Sequence, residues 1–186
     1  PPALPPTSRE APCTQGYLPW WLSSRYYTGH MSTVVTWQTS STSSEHTEQL
    51  AEKLGRNLRG GEVIELISDL GGGKTTFVRG LARGLGSPDK VASPTFTISK
   101  LYRAGDLEMH HFDFYRLHEP GIIADELAEV ITDPWAITVI EWADVVQHVL
   151  PVSRLSISIE QTPTGSRRLI FRCPESLRYL MEAVEK

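Results

Sequence analysis

The chain has 186 residues, 40% of them apolar and 22% charged, with a formal net charge of −4. This is the balance of one ordinary globular domain, and it excludes a global basic field able to hold nucleic acid without a local patch or a partner. No apolar run approaches the roughly 18 residues of a membrane span, and Cys13 and Cys173 lack metal-ligand spacing and suggest a reducing compartment, with a long-range disulfide as the alternative; a cytoplasmic protein is the expectation.

Residues 1–30 read as foreign to the rest. Pro1-Pro2-Ala3-Leu4-Pro5-Pro6 removes the backbone donors that helix or sheet would need. Trp20-Trp21 and Tyr26-Tyr27 follow neither a helical nor a strand period. Gly29-His30-Met31 resembles a cloning remnant before a start methionine, with a miscalled start codon or a genuine extension as alternatives. The stretch lacks the basic start and apolar core of a signal peptide. The expectation is a non-native or unstructured extension over 1–30 and a single domain over 31–186.

Thr39–Ser44 is a Ser/Thr tract, expected to be a loop that supplies a helix cap. Leu50, Leu54 and Leu58 then recur at helical spacing, predicting a one-faced helix over Thr47–Leu58 that Arg59-Gly60-Gly61 ends. An apolar strand, Val63–Ile67, leads into Ser68-Asp69-Leu70-Gly71-Gly72-Gly73-Lys74-Thr75-Thr76. A helical run, Phe77–Leu85, follows. Strand, glycine loop, Lys-Thr, helix is the context of a phosphate-binding P-loop. Glycines let N–H groups turn inward around an anion, and the helix adds its positive end. Lys74 would supply charge to β/γ-phosphates and Thr75 a hydroxyl for Mg²⁺. Ser68 stands where the pattern asks for glycine.

Beyond the breaker Gly86-Ser87-Pro88, Ser93-Pro94-Thr95-Phe96-Thr97-Ile98 leads into an extended segment through Tyr102. With Arg103–Asp106 as turn and Met109–Leu117 as return strand, it makes a hairpin. A helix is expected over Ile122–Ile131, a buried strand over Ile137–Ile140, and a short helix over Ala143–Val149. Leu155–Ile159 and Arg168–Phe171 alternate across a Gly165 turn as a second hairpin. Pro174 would open an amphipathic helix running to Val184. The pattern predicts an α/β fold, a three-layer P-loop sandwich with a mixed sheet and antiparallel hairpins.

A P-loop needs acidic partners to hold Mg²⁺, since hard cations prefer oxygen. Glu141 ends a buried apolar strand, where an ionised carboxylate is costly unless a cation or donor meets it; a solvent-facing strand end is the bland alternative. Asp113, between Phe112 and Phe114, would point away from both rings. It could orient water or hold a Mg²⁺-bound one, or serve as a turn cap or an Arg116 partner. Ser93-Pro94-Thr95 could act as a switch segment or an ordinary loop. His110 and His111 face opposite sides of their strand, so one could be functional, with packing or solvation as the bland alternative; neither has partners at zinc spacing. Trp142 could stack on a ligand or pack. Arg79, Arg83 and Arg167-Arg168 are candidates for a partner or RNA surface.

Four segments, Asp69–Gly80, Ser93–Thr97, His111–Leu117 and Ile140–Trp142, stand together in one order and spacing. In these the chain resembles the TsaE (YjeE) family, bacterial P-loop ATPases of tRNA threonylcarbamoyladenosine synthesis, over roughly Thr47–Phe171. The resemblance implies ATP binding by Asp69, Leu70, Gly71, Gly72, Gly73, Lys74, Thr75 and Thr76, with slow hydrolysis. It implies Mg²⁺ held by Thr75 and Glu141, with Lys74 and Asp113 required for activity. It extends to Glu48 near the adenine, and to Trp142 and Arg167 as further nucleotide contacts. It implies docking on a TsaB–TsaD transferase, with tRNA engaged only indirectly. Two positions depart from the family: Ser68 replaces its usual Gly and Gly72 its usual Ala. Residues 1–30 have no counterpart in it. A small-molecule kinase would need a lid, and no lid-like insertion separates Ile131 from Glu141. A GTPase would need Asn-Lys-x-Asp, which the sequence lacks. A non-hydrolysing nucleotide-sensing adaptor is the third alternative.

Overall fold

Alternating apolar positions along each strand put one set of side chains on each face of a sheet, and the chain uses both faces. A computed structural model describes residues 33–185; the extension expected over 1–30 and Cys13 lie outside the described residues. The elements run β1 (Val34–Ser41), α1 (Ser44–Gly55), β2 (Val63–Ile67), α2 (Lys74–Leu85), β3 (Ser99–Ala104), β4 (Leu107–Asp113), α3 (Ile123–Thr132), β5 (Ala136–Glu141), β6 (Leu155–Gln161), β7 (Arg167–Pro174) and α4 (Arg178–Glu185).

The strands form one seven-stranded sheet in the order β1-β7-β6-β2-β5-β4-β3. Strands β6, β2, β5 and β4 are mutually parallel. Antiparallel strands close both edges, β7 and β1 on one side and β3 on the other. The sheet is mixed and covered on both faces, the expected three-layer α/β sandwich. On one face Ile64, Leu66, Ile137 and Val139 pack against Leu54 of α1, Phe77 and Leu81 of α2, and Leu180 of α4. On the other, Val63, Phe112 and Ile140 meet Leu127 of α3 and Val146 of a 3-10 turn at Ala143–Val146. Among the described residues no helix is long and apolar enough to cross a membrane.

The helix carrying the loop is held by close approach. A Cβ at Gly80 of α2 would lie 2.3 Å from the Glu48 carbonyl oxygen, and one at Gly84 2.2 Å from that of Glu52. Only hydrogen fits there, so α1 and α2 touch backbone to backbone. Ser43 caps α1, its hydroxyl accepting from the His46 N–H at 3.1 Å.

Several expectations are corrected. Val34–Ser41 is an edge strand, where the Ser/Thr tract from Thr39 was expected to be loop; only Ser43 and its neighbours serve the cap. Its register is set by β7, and Trp37 packs on Phe171 with ring centroids 5.0 Å apart. Ser93–Ile98 leads into β3 as expected, and it does so as a turn: the N–H groups of Thr97 and Ile98 donate to the Pro94 carbonyl at 2.8 and 2.7 Å. β4 stops at Asp113 rather than Leu117, because the Asp113 carboxylate accepts from the Tyr115 N–H at 3.0 Å and turns the chain. Pro174 ends β7 instead of opening a helix, and a 3-10 turn at Glu175–Leu177 precedes α4.

Candidate functional site

The loop between β2 and α2 owes its shape to two glycines in the left-handed region, Gly71 at φ 78° and Gly73 at φ 109°. Gly73 is the N-cap of α2 and brings no side-chain cap; the first turn holds no acid. The first N–H groups of α2 thus open toward the loop, which favours an anion there. Lys74 is 6% exposed. Its ammonium donates to the Ser68 carbonyl at 2.8 Å and that of Asp69 at 3.1 Å, and lies 4.4 Å from the centre of the Trp142 ring. Burial pulls Lys74 below the usual lysine value, while Glu141, Asp113 and Asp69 oppose that shift.

Parallel pairing of β4 with β5 sets Asp113 opposite Glu141, at the carboxyl ends of both strands. Both side chains share the strand face of Met109 and Val139, the face covered by α2. Asp113 and Glu141 are therefore delivered to the start of α2 from two neighbouring strands. A pocket of about 230 Å³ is lined by Leu70 through Thr76, Ser93, Thr95, Asp113, Tyr115, Glu141 and Trp142. Asp113 accepts from the Thr95 hydroxyl at 2.5 Å and the Ser93 hydroxyl at 3.3 Å. Arg116 stacks on Phe96, 4.5 Å from its ring centre, so Asp113 acts as a turn cap and pocket acid and not as an Arg116 partner.

Among the described residues, two non-glycine positions have positive φ, Ile98 at 65° and Trp142 at 57°. They adjoin the two carboxylates: the Ile98 carbonyl accepts from the Asp113 N–H at 2.9 Å, and Trp142 directly follows Glu141. Such conformations cost on the order of 1–3 kcal/mol each and persist where the surroundings over-determine them. Here they aim a hydroxyl turn and an indole at the pocket.

The remaining expected site residues are placed as follows. Gly72, Thr75 and Thr76 line the pocket, Leu70 is its exposed lip, and Asp69 contributes its backbone carbonyl. Arg167 reaches from β7 to the loop, its Nε donating to the Gly72 carbonyl at 3.0 Å. Glu48 is not brought to the pocket. It sits in the second turn of α1, where its carboxylate pairs with Arg79 and Arg83. The same pairs, with Glu52 to Arg83, turn these arginines from a free basic surface into cross-links between α1 and α2. Ser68 and Gly72 form one feature: a Cβ at Gly72 would come 1.7 Å from the Ser68 hydroxyl, so that hydroxyl occupies the space a side chain at 72 would use.

Two further residues, neither assigned a role in the sequence, support the site. His111 is fully buried, and its Nε2 lies 2.9 Å from Glu141 Oε1. Tyr115 packs on Trp142 at 5.0 Å. Strand parity carried the signal for His111, since residues 111 and 113 share a face.

Among the described residues no three His, Cys, Asp or Glu side chains gather to hold a metal by themselves. The pocket instead offers the Thr75 hydroxyl at the start of α2 and the carboxylates of Asp113 and Glu141, beside an anion cradle. That set suits a hard cation sharing its coordination with phosphate oxygens, the habit of Mg²⁺.

A lysine-bearing glycine loop between a parallel strand and its helix, faced by acids from the adjacent strands, defines a P-loop-type α/β protein. The chain belongs to the TsaE family: residues 41–169 match the model "Threonylcarbamoyl adenosine biosynthesis protein TsaE". It is 36% identical over 141 residues to the tRNA threonylcarbamoyladenosine biosynthesis protein TsaE of Bacillus subtilis, covering 74% of this chain and 84% of that one. The Treponema pallidum protein of the same name is 36% identical over 129 residues, 69% of this chain and 95% of its own. The crystal structure of Bacillus subtilis YdiB superposes with a TM-score of 0.64 at 32% identity, covering 84% of this chain and 97% of that one.

Proposed function

We propose that the chain binds ATP with Mg²⁺ and hydrolyses it slowly, as the cytoplasmic accessory subunit that sustains threonylcarbamoyladenosine formation on tRNA through a TsaB–TsaD transferase. The observation that carries this reading is the meeting of Lys74, Thr75, Asp113 and Glu141, from separate segments, around one pocket at the start of α2. The pathway assignment rests on family membership.

The loop N–H groups and the Lys74 ammonium hold and neutralise the β- and γ-phosphates. Thr75 and Glu141 would hold Mg²⁺, which when bound supplies further charge neutralisation on the phosphate oxygens. Asp113, fixed by Thr95, Ser93 and the Tyr115 N–H, accepts a hydrogen bond from the attacking water and aligns it. Trp142 roofs Lys74 and keeps bulk water from the ammonium, which strengthens its pull on phosphate. Among the described residues no arginine lines the pocket. Turnover by the isolated chain is therefore slow, and TsaB–TsaD raises it by completing the site. tRNA is met only through that complex.

The test is phosphate release from ATP and Mg²⁺ by the full chain, with and without TsaB–TsaD, compared with Lys74→Ala and Glu141→Ala. Both variants are expected to lose hydrolysis, and the partner pair to stimulate the wild type. Undiminished hydrolysis in both variants overturns the site. Turnover indifferent to TsaB–TsaD overturns the coupling.

A further inference from the structure

Glu141 is 3% exposed and His111 fully buried, and the two touch across neighbouring parallel strands. In the register His111 pairs with Val139, so Glu141 is its diagonal neighbour on the α2 face. One imidazole nitrogen, Nε2, lies 2.9 Å from Glu141 Oε1. The other, Nδ1, is buried and has no hydrogen-bond partner among the described residues. A buried polar atom left unpartnered is unfavourable, so this ring is held in place by what its other nitrogen does. The Tyr102 ring, centred 6.4 Å away, packs beside it and limits its rotation.

We infer that His111 is the positioning residue of the acid end of the site: its Nε2–H holds Glu141 Oε1 and leaves the second carboxylate oxygen directed at Thr75 and the phosphate cradle. This rests on the reading of Glu141 as a Mg²⁺ ligand. The physical reason is rotational. A carboxylate anchored at one oxygen by a buried donor keeps the other in place, whereas a free carboxylate in the same cavity would turn toward the Lys74 ammonium and close the pocket on itself. Residues that orient a ligand from behind typically alter metal affinity 10–100-fold when replaced.

The experiment measures ATP binding to the full chain by calorimetry, in Mg²⁺ and again in EDTA. His111→Phe is expected to weaken binding about tenfold in Mg²⁺ and to leave it unchanged in EDTA. His111→Gln, whose amide places a donor near the Nε2 position, restores most of that loss. In a Glu141→Gln background, His111→Phe has no further effect, because the group it positions is gone. Equal loss in EDTA, or a full effect that persists beside Glu141→Gln, overturns the inference in favour of packing alone. If Glu141→Gln leaves the Mg²⁺ dependence intact, the metal reading itself fails and this inference with it. If Glu141→Gln abolishes that dependence while His111→Phe leaves it at the wild-type value, only the inference fails. Long-range proton–nitrogen NMR on the wild type supplies a measurement that does not depend on the Phe variant folding. It is expected to find the ring proton on Nε2, and a proton on Nδ1 alone overturns the arrangement.

Discussion

Glu65 and Glu141 are both buried, lie on adjacent parallel strands of one sheet, and do opposite things. Glu65 faces the α3 side with both oxygens engaged: Arg154 Nε and Gln147 Nε2 each donate at 2.7 Å, and the Ser156 hydroxyl at 3.1 Å. Glu141 faces the α2 side, has one side-chain partner among the described residues, His111, and fronts a pocket that also holds a buried lysine. Glu62 repeats the first pattern, accepting from two backbone N–H groups and the Tyr179 hydroxyl. A buried carboxylate with both oxygens engaged by donors of the fold fastens that fold. One left half-satisfied beside a cation and an opening is kept for a ligand.

On that distinction, Glu141→Gln lowers ATP turnover by about 10²–10³ while unfolding free energy changes by less than about 1 kcal/mol, since the amide still accepts from His111. Turnover and denaturant titrations read the two quantities, and a collapse of stability would erase the contrast. The converse variant, Glu65→Ala, leaves the Arg154 guanidinium uncompensated. It is expected to cost about 3 kcal/mol of stability and to leave ATP affinity of the folded fraction unchanged. A loss of affinity at constant stability would place Glu65 with the site. Gly72→Ala probes the site side at smaller scale. The new methyl forces the Ser68 hydroxyl out of its place, weakening ATP binding by about 1 kcal/mol, roughly fivefold, and Ser68→Gly in the same chain restores it. Independent effects of the two changes would break the pairing.

The smallest effect lies on the structural side and is a matter of pH. Burial, aided by the Glu62 hydrogen bond and charge, holds the Tyr179 phenol well above the usual tyrosine range. Below about pH 10 both folded and unfolded chains keep the phenol neutral, so it adds no pH dependence. Above it the unfolded chain ionises first, and stability falls as pH rises. Tyr179→Phe flattens that alkaline decline at the cost of about 1 kcal/mol at neutral pH, the worth of the lost hydrogen bond. Melting curves from pH 7 to 11 check both parts.

Much of this was legible in the chain. The run Val63–Ile67, the glycine loop and Lys74-Thr75 read as strand, cradle and helix start because their signals are local: apolar periodicity, tolerance of positive φ, and cap chemistry. Glu141 stood out for the same reason, a charge closing an apolar strand. The edge strand β1 did not, because Ser and Thr serve caps and strands alike until β7 provides a ladder. Ser93-Pro94-Thr95 stood out as a hydroxyl-rich loop, but its shape did not, since it follows from Asp113 collecting hydroxyls from a segment distant in sequence.

The residues themselves thus determined that a glycine loop with Lys74-Thr75 opens a helix, which strand precedes it and which acids could serve it, since each depends on a few neighbouring side chains. Tertiary structure alone decided the partnerships. It placed Glu48 in an ion pair with Arg79, drew Arg167 to the Gly72 carbonyl, and brought His111 to Glu141. The physical reason is that strand order and register, which no local pattern encodes, fix which side chains from remote segments come within hydrogen-bonding distance.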